Sequence, residues 1–346
     1  MTVTGELGVF GKELRRMMYA VGDSRRPAAD SVSCVESILR RELMQLVLAA
    51  AERLGVENGA KRELQPFHLL FHLRRNVPLI KRLIHYAKAK EQAKAARSSA
   101  EQQDDSNEEV ALDTDAAATT STAAASVVVE GKHLKALRLA FEKFEVEGEL
   151  SSLIQRNIDD DVHVDRWKSL EAIVATMDVT EYQNDFCEAR RVSFLGYGKK
   201  TDVAKFQNWI LGEQAEESDG ILRGVFLNQA TVDILNFVAK DLLWTVVDFA
   251  RKLRLELGDD CFADSADGGT GSRSSVKDRL AAEILSRRRR LDDSQTTSSL
   301  SSSFSEGAGG SAPIKAAFIR EAYRRLQGDH PLSFLCRPMV TMEGFC

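Results

Sequence analysis

The sequence predicts an almost all-α protein built from two similar triplets of helices. Six prolines in 346 residues are under half the usual share of about 5%. Ala, Leu, Glu, Lys and Arg dominate stretches in which apolar residues return every three or four positions. A short–long–short succession of such stretches also occurs twice, near residues 10–73 and 206–326, without repeating the sequence. The 43% hydrophobic content is enough to fill cores behind them.

In the first triplet, Phe10, Leu14, Met17 and Met18 share a helical face, and Gly22-Asp23 breaks the run before Arg25-Arg26-Pro27. Asp30 is a good N-cap for a helix of about 26 residues, roughly 39 Å long. Its apolar band, from Val35, Ile38, Leu39 and Leu43 through Leu46, Val47, Ala50 and Leu54, is too wide for one covered side. Gly55 and Gly59 close it, Lys61 to Leu64 reads as a brief extended piece, and Pro66 starts a third helix containing Leu69, Leu70 and Leu73. A fourth helix should run from Val77 to about Arg97.

Residues 1–100 hold 18 Lys/Arg and 10 Asp/Glu, whereas residues 101–130 hold eight acids and no base. That second stretch has no aromatic residue and reads as a disordered acidic linker. A spacer follows at 131–200, with a helix at His133 to Phe144 and an aromatic segment around Tyr182 to Phe194. Residues 201–346 hold the second triplet: Phe206 to Leu211, a long helix within Leu222 to Leu257, and Pro313 to Leu326. Leu235, Val238, Leu242, Val246, Phe249 and Leu253 form one stripe of the long helix. A Gly- and Ser-rich insertion at about 258–311 interrupts the triplet, with one expected helix from Val276 to Arg290.

The chemistry-bearing residues point away from catalysis. Five scattered cysteines lack metal or disulfide spacing, which suits a reduced intracellular protein. No signal-peptide core or 18-residue apolar run is present. His68 and His72 stand four apart as zinc ligands would, but Leu69 occupies the place of the motif glutamate. Gly268 to Gly271 lacks the lysine of a phosphate loop, and Cys187 has no histidine near it in sequence. The expectation is a non-enzyme without cofactor or metal. Arg287-Arg288-Arg289-Arg290 reads equally as a nuclear signal or as a solvated helix end.

Two short–long–short triplets on one chain suggest two histone folds forming an intramolecular pair, each covering the other's long helix. Particular residues extend this. Met17-Met18-Tyr19-Ala20-Val21-Gly22-Asp23-Ser24-Arg25-Arg26-Pro27 resembles the opening signature of the Spt-three family, the tandem histone-fold subunit of the SAGA transcription coactivator. Met177-Asp178, Tyr182, Phe186-Cys187-Glu188, Arg190, Ser193-Phe194 and Lys205-Phe206 with Trp209 resemble the family's approach to its second fold. The resemblance implies a nuclear coactivator subunit that docks through paired histone folds among other histone-fold subunits and helps place TATA-binding protein (TBP) at RNA polymerase II promoters. The alternatives are a DNA-binding histone-fold transcription factor and a histone-fold subunit of TFIID. The chain departs from the family where Phe67-His68 replaces an acidic pair, so the usual clamp from a loop arginine (Arg62 or Lys61) lacks its aspartate.

Phe237, Asp241 and Trp244 follow one line of the second long helix and are the candidate TBP contacts; Asp241 matches an acidic position of the family. As an exposed anchor, Asp241→Lys should weaken TBP association by about 1–3 kcal/mol with the fold intact. The alternative is that the rings pack under the Pro313 to Leu326 helix while Asp241 reaches solvent or a nearby base.

Overall fold

A computed structural model of the chain describes residues 7–54, 62–104, 131–145, 148–156, 160–196, 199–212, 222, 224–258, 312–328 and 335. The described residues are mostly helical. The first triplet is α1 (Gly11–Val21), α2 (Ala29–Glu52) and α3 (Pro66–Leu73), followed by α4 (Val77–Asp104). The spacer forms α5 (Lys132–Glu142), α6 (Glu149–Gln155) and α7 (Asp161–Val174), then α8 (Val179–Glu181), which passes through a π-helical turn (Tyr182–Phe186) into α9 (Cys187–Arg191). The second triplet is α10 (Lys200–Leu211), α11 (Gln229–Leu257) and α12 (Ala316–Gln327).

α4 runs through Asp104, so the first four residues of the expected 101–130 linker are helical rather than disordered. Its distal half, Lys94 to Gln103, is almost entirely Ala, Glu, Gln, Lys, Arg and Ser, and strong helix formers prolong the helix past its last apolar position. The rest of that linker, the helix expected at 276–290 and Arg287 to Arg290 lie outside the described residues.

The chain divides into two compact units, and each draws on both triplets. One comprises residues 1–39, 167–194 and 242–329; the other comprises 40–166, 195–241 and 330–346. In the second unit, β1 (Arg62–Leu64) pairs in parallel with β2 (Val225–Leu227), in the register Arg62↔Val225, Glu63↔Phe226 and Leu64↔Leu227. The Thr231 hydroxyl then donates to the Leu64 carbonyl at 2.7 Å. Contacts of such high sequence separation require β2, just ahead of the second long helix, to lie beside β1, which follows the first.

The apolar bands of both long helices are consumed in the cores. Val35, Leu39, Leu43, Leu46, Val47 and Ala50 of α2 are at most 1% exposed, as are Leu235, Val238, Leu242, Val246 and Leu253 of α11. At about 1.5–3 kcal/mol per fully buried Val or Leu side chain, these positions supply much of the drive for folding. α3 begins at Pro66, with Gln65 and His68 capping its N-terminus reciprocally; the Gln65 amide donates to His68 Nδ1 at 3.1 Å. His68, whose spacing from His72 suggested a zinc ligand, therefore satisfies a helix end, and the Arg62 amide donates to the Gly224 carbonyl at 3.0 Å.

Candidate functional site

In the first unit, the two signature segments fold onto one another across some 160 residues of chain. Gly22 ends α1 at φ +107°, a left-handed conformation that favours glycine. Its amide donates to Tyr19, and the Asp23 amide donates to Met18 at 3.1 Å, closing a Schellman cap. A Cβ on Gly22 would stand 2.7 Å from Ile173 Cδ1 and 3.0 Å from Arg251 Nη1. Gly22→Ala should therefore lower the unfolding free energy by about 2 kcal/mol, read as a lower urea midpoint at unchanged slope.

The cap aims Asp23 inward. Its Oδ1 accepts from the Ser24 amide at 2.7 Å and the Ile314 amide at 2.9 Å, while the Ser31 hydroxyl donates to the Ile314 carbonyl at 2.5 Å. The signature loop and the first turn of α2 thus take, between them, both backbone polar groups of a fully buried residue just ahead of α12. Burial pushes the Asp23 carboxyl up, against the lowering effect of its two amide donors and of Arg254. Pro27 is buried and Arg26 exposed; Met17 and Met18 lie in the core at 3% and 0% exposure.

Tyr19 joins the two segments. Its ring meets the fully buried Phe186 edge-on at 5.8 Å, and its hydroxyl donates to Glu181 at 2.8 Å. Burial first, then the bond to Glu181 and that carboxylate's charge, raises the phenol far above its ordinary value. Around this contact pack Ala20, Leu170, Ala189, Ile173, Met177 and Trp244. Arg25 pairs with Asp185, and Phe194 packs edge-on against Phe10 at 5.3 Å. Glu188 bonds Arg191 at the surface, the Arg190 guanidinium lies 5.8 Å from the Trp167 ring centroid, and Ser193 is half-buried. Beside Tyr19 opens a groove of about 160 Å³ lined by Arg15, Arg16 and Arg25 together with Asp185 and Glu188. Among the described residues, no three His, Cys, Asp or Glu side chains gather as metal ligands would.

The remaining signature residues lie in the second unit, where Phe206 and Trp209 stack at 5.9 Å in the core side of α10. That unit also corrects the exposed-anchor reading of Phe237, Asp241 and Trp244. Phe237 is half-buried against Tyr86, with ring centroids 5.1 Å apart. Asp241 is buried: Arg82 Nε and Nη2 donate to its two oxygens at 2.8 and 2.9 Å, and Arg166 Nη1 donates to Oδ1 at 2.5 Å. Trp244 belongs to the cluster around Phe186 in the first unit. An acid on a largely apolar helix is costly to bury alone, and two guanidinium partners resolve that cost here. Arg82 could have been found from sequence, because it interrupts the buried stripe Leu79, Ile80, Leu83 and Ile84 and a cation there demands an acid. Arg166 carries no such signal.

Residues 8–104 match the family described as Transcription initiation factor IID, 18kD subunit. SAGA complex subunit Spt3 of Schizosaccharomyces pombe is 29% identical over 97 residues, 28% of this chain and 31% of that protein. Transcription initiation factor TFIID subunit 13 of Arabidopsis thaliana is 33% identical over 89 residues, 26% of this chain and 68% of that protein. Its Dictyostelium discoideum counterpart is 29% identical over 89 residues, covering 80% of the shorter protein. The matched stretch thus spans under a third of the SAGA subunit and most of the two TFIID subunits. None of the helices among the described residues is long and apolar enough to cross a membrane.

Proposed function

The chain belongs to the transcription initiation factor IID 18 kD subunit family, a histone-fold family, and from that premise we propose that it is a non-enzymatic, nuclear subunit of a SAGA-type coactivator. In this reading the two triplets are a histone-fold pair on one chain, the pair docks the protein among other histone-fold subunits, and the assembled complex helps deliver or regulate TBP at promoters.

The observation that carries the SAGA-type reading is that each compact unit combines the first triplet with the second. A stretch of 89 residues that makes up 80% of a TFIID subunit leaves that subunit little chain for a second triplet. The same region is only 31% of the SAGA subunit, whose length is comparable to this chain's. A chain that supplies its own second triplet does not need a separate subunit to cover α2. The higher identity to the Arabidopsis subunit favours the TFIID reading instead. Purification of the tagged chain from nuclear extract with mass spectrometry separates the two. SAGA subunits together with substoichiometric TBP are expected; TFIID subunits would select the alternative, and neither set would reject both.

A further inference from the structure

We infer that the face of the second unit formed by Arg53, Phe71, Arg74, Arg75 and Lys143 is a docking site for an acidic segment of a partner protein, whose carboxylates bridge the guanidinium groups. The half-buried Phe71 ring is at its centre. The Arg53 Cζ lies 3.5 Å and the Arg74 Cζ 3.6 Å from its centroid. Two guanidinium groups cannot share one face at that height, so the ring is held between them. On the preceding turn, Lys143 Nζ stands 4.1 Å over Phe67, and Phe144 meets Phe71 edge-on at 5.9 Å.

Stacking on a ring fixes a guanidinium through its flat face and leaves its N–H edge free for a carboxylate. Arg74 spends one N–H on the Phe71 carbonyl, and Lys143 reaches Gln65 at 3.2 Å. Among the described residues, none of the four cations is ion-paired with an acid. The cluster is therefore self-repelling. Burial, then Arg75 and Arg53, pull the Arg74 guanidinium below its ordinary value. Burial chiefly, with Lys143 and Arg53 adding to it at His68 and Arg53 and Arg74 at His72, lowers both imidazoles and keeps them neutral near pH 7. His72 Nε2 is buried there without a hydrogen-bond partner. Concentrated, preorganised positive charge beside apolar rings matches an acidic peptide. Nucleic acid fits less well, because the rings that would stack bases already carry cations. The inference is independent of which transcription complex the chain enters.

The test uses the full chain and a fluorescein-labelled peptide of ten glutamates, read by polarisation at 0.15 M salt. Measurable binding is expected, weakened at least tenfold in the Arg53→Gln, Arg74→Gln double variant and less than twofold by Lys12→Gln, an exposed cation in the other unit. Circular dichroism checks that the double variant is folded. If it is not, the exposed Arg75→Gln should still weaken binding about threefold. An absence of peptide binding by the wild type, wild-type affinity in the folded variants, or binding of a 20-base-pair duplex that the peptide does not displace would each overturn the assignment.

Discussion

Replacing Asp241 with asparagine should cost about 3–5 kcal/mol of unfolding free energy, because both arginines would lose the carboxylate that neutralises them in a dry setting. The side chains of Arg82, Asp241 and Arg166 are 5%, 7% and 14% exposed. Asp241→Lys should do more harm, placing a third cation among them, so it unfolds the protein rather than testing a surface contact. The same cluster predicts an acid limit. Burial alone would raise the Asp241 carboxyl, but Arg166 and then Arg82 outweigh it and hold the group at about 2. A carboxyl held below its unfolded value, about 3.9, contributes stability that is fully present above that value and lost as pH falls through 2. Urea midpoints at pH 7, 4 and 2.5 should therefore show the wild-type advantage over Asp241→Asn intact at pH 7 and shrinking between pH 4 and 2.5. A variant within 1 kcal/mol of wild type at pH 7 would contradict the pairing.

Phe186→Ala should cost a further independent 3–5 kcal/mol or so, the usual toll for emptying a fully buried aromatic site. The ring is 0% exposed and anchors Tyr19, and through it the opening signature, to the spacer segment. Beyond the loss of stability, the variant should loosen the groove beside Tyr19, giving faster amide exchange across 17–27 and 182–191 than across 62–73. Uniform acceleration everywhere would mean that the segment is not locally anchored. Tyr19→Phe, which removes only the bond to Glu181, should cost about 1 kcal/mol.

Helical periodicity made the two triplets legible, because Leu39, Leu43 and Leu46, or Leu235, Val238 and Leu242, must share a face whatever they pack against. Gly22 and Pro66 marked helix ends through backbone constraints that act locally. The spacer was less legible. α7 buries only Leu170, so it has almost no apolar stripe to betray it, and it nevertheless supplies Arg166 to Asp241. Pairings such as Arg62 with Val225 or Asp23 with Ile314 depend on where distant segments meet, and no local pattern encodes that. For the candidate site, the sequence marks the signature residues but not their roles. Nothing in the order Met17 to Pro27 announces that Tyr19 would bond Glu181 or that Asp23 would hold a buried amide. The Arg53–Phe71–Arg74 stack has no sequence signal because Arg53 stands in the turn after α2 and Arg74 just past the end of α3, so the three members share no period.

Cleavage of the full chain at a protease site placed within residues 105–130 tests most directly whether one chain closes its own pair. If each compact unit needs both triplets, the two fragments remain together after cutting, sediment as a single species of the uncut mass, 38.4 kDa apart from the inserted site, and melt in one transition. Fragments that separate at micromolar concentration while each stays folded would contradict the pairing.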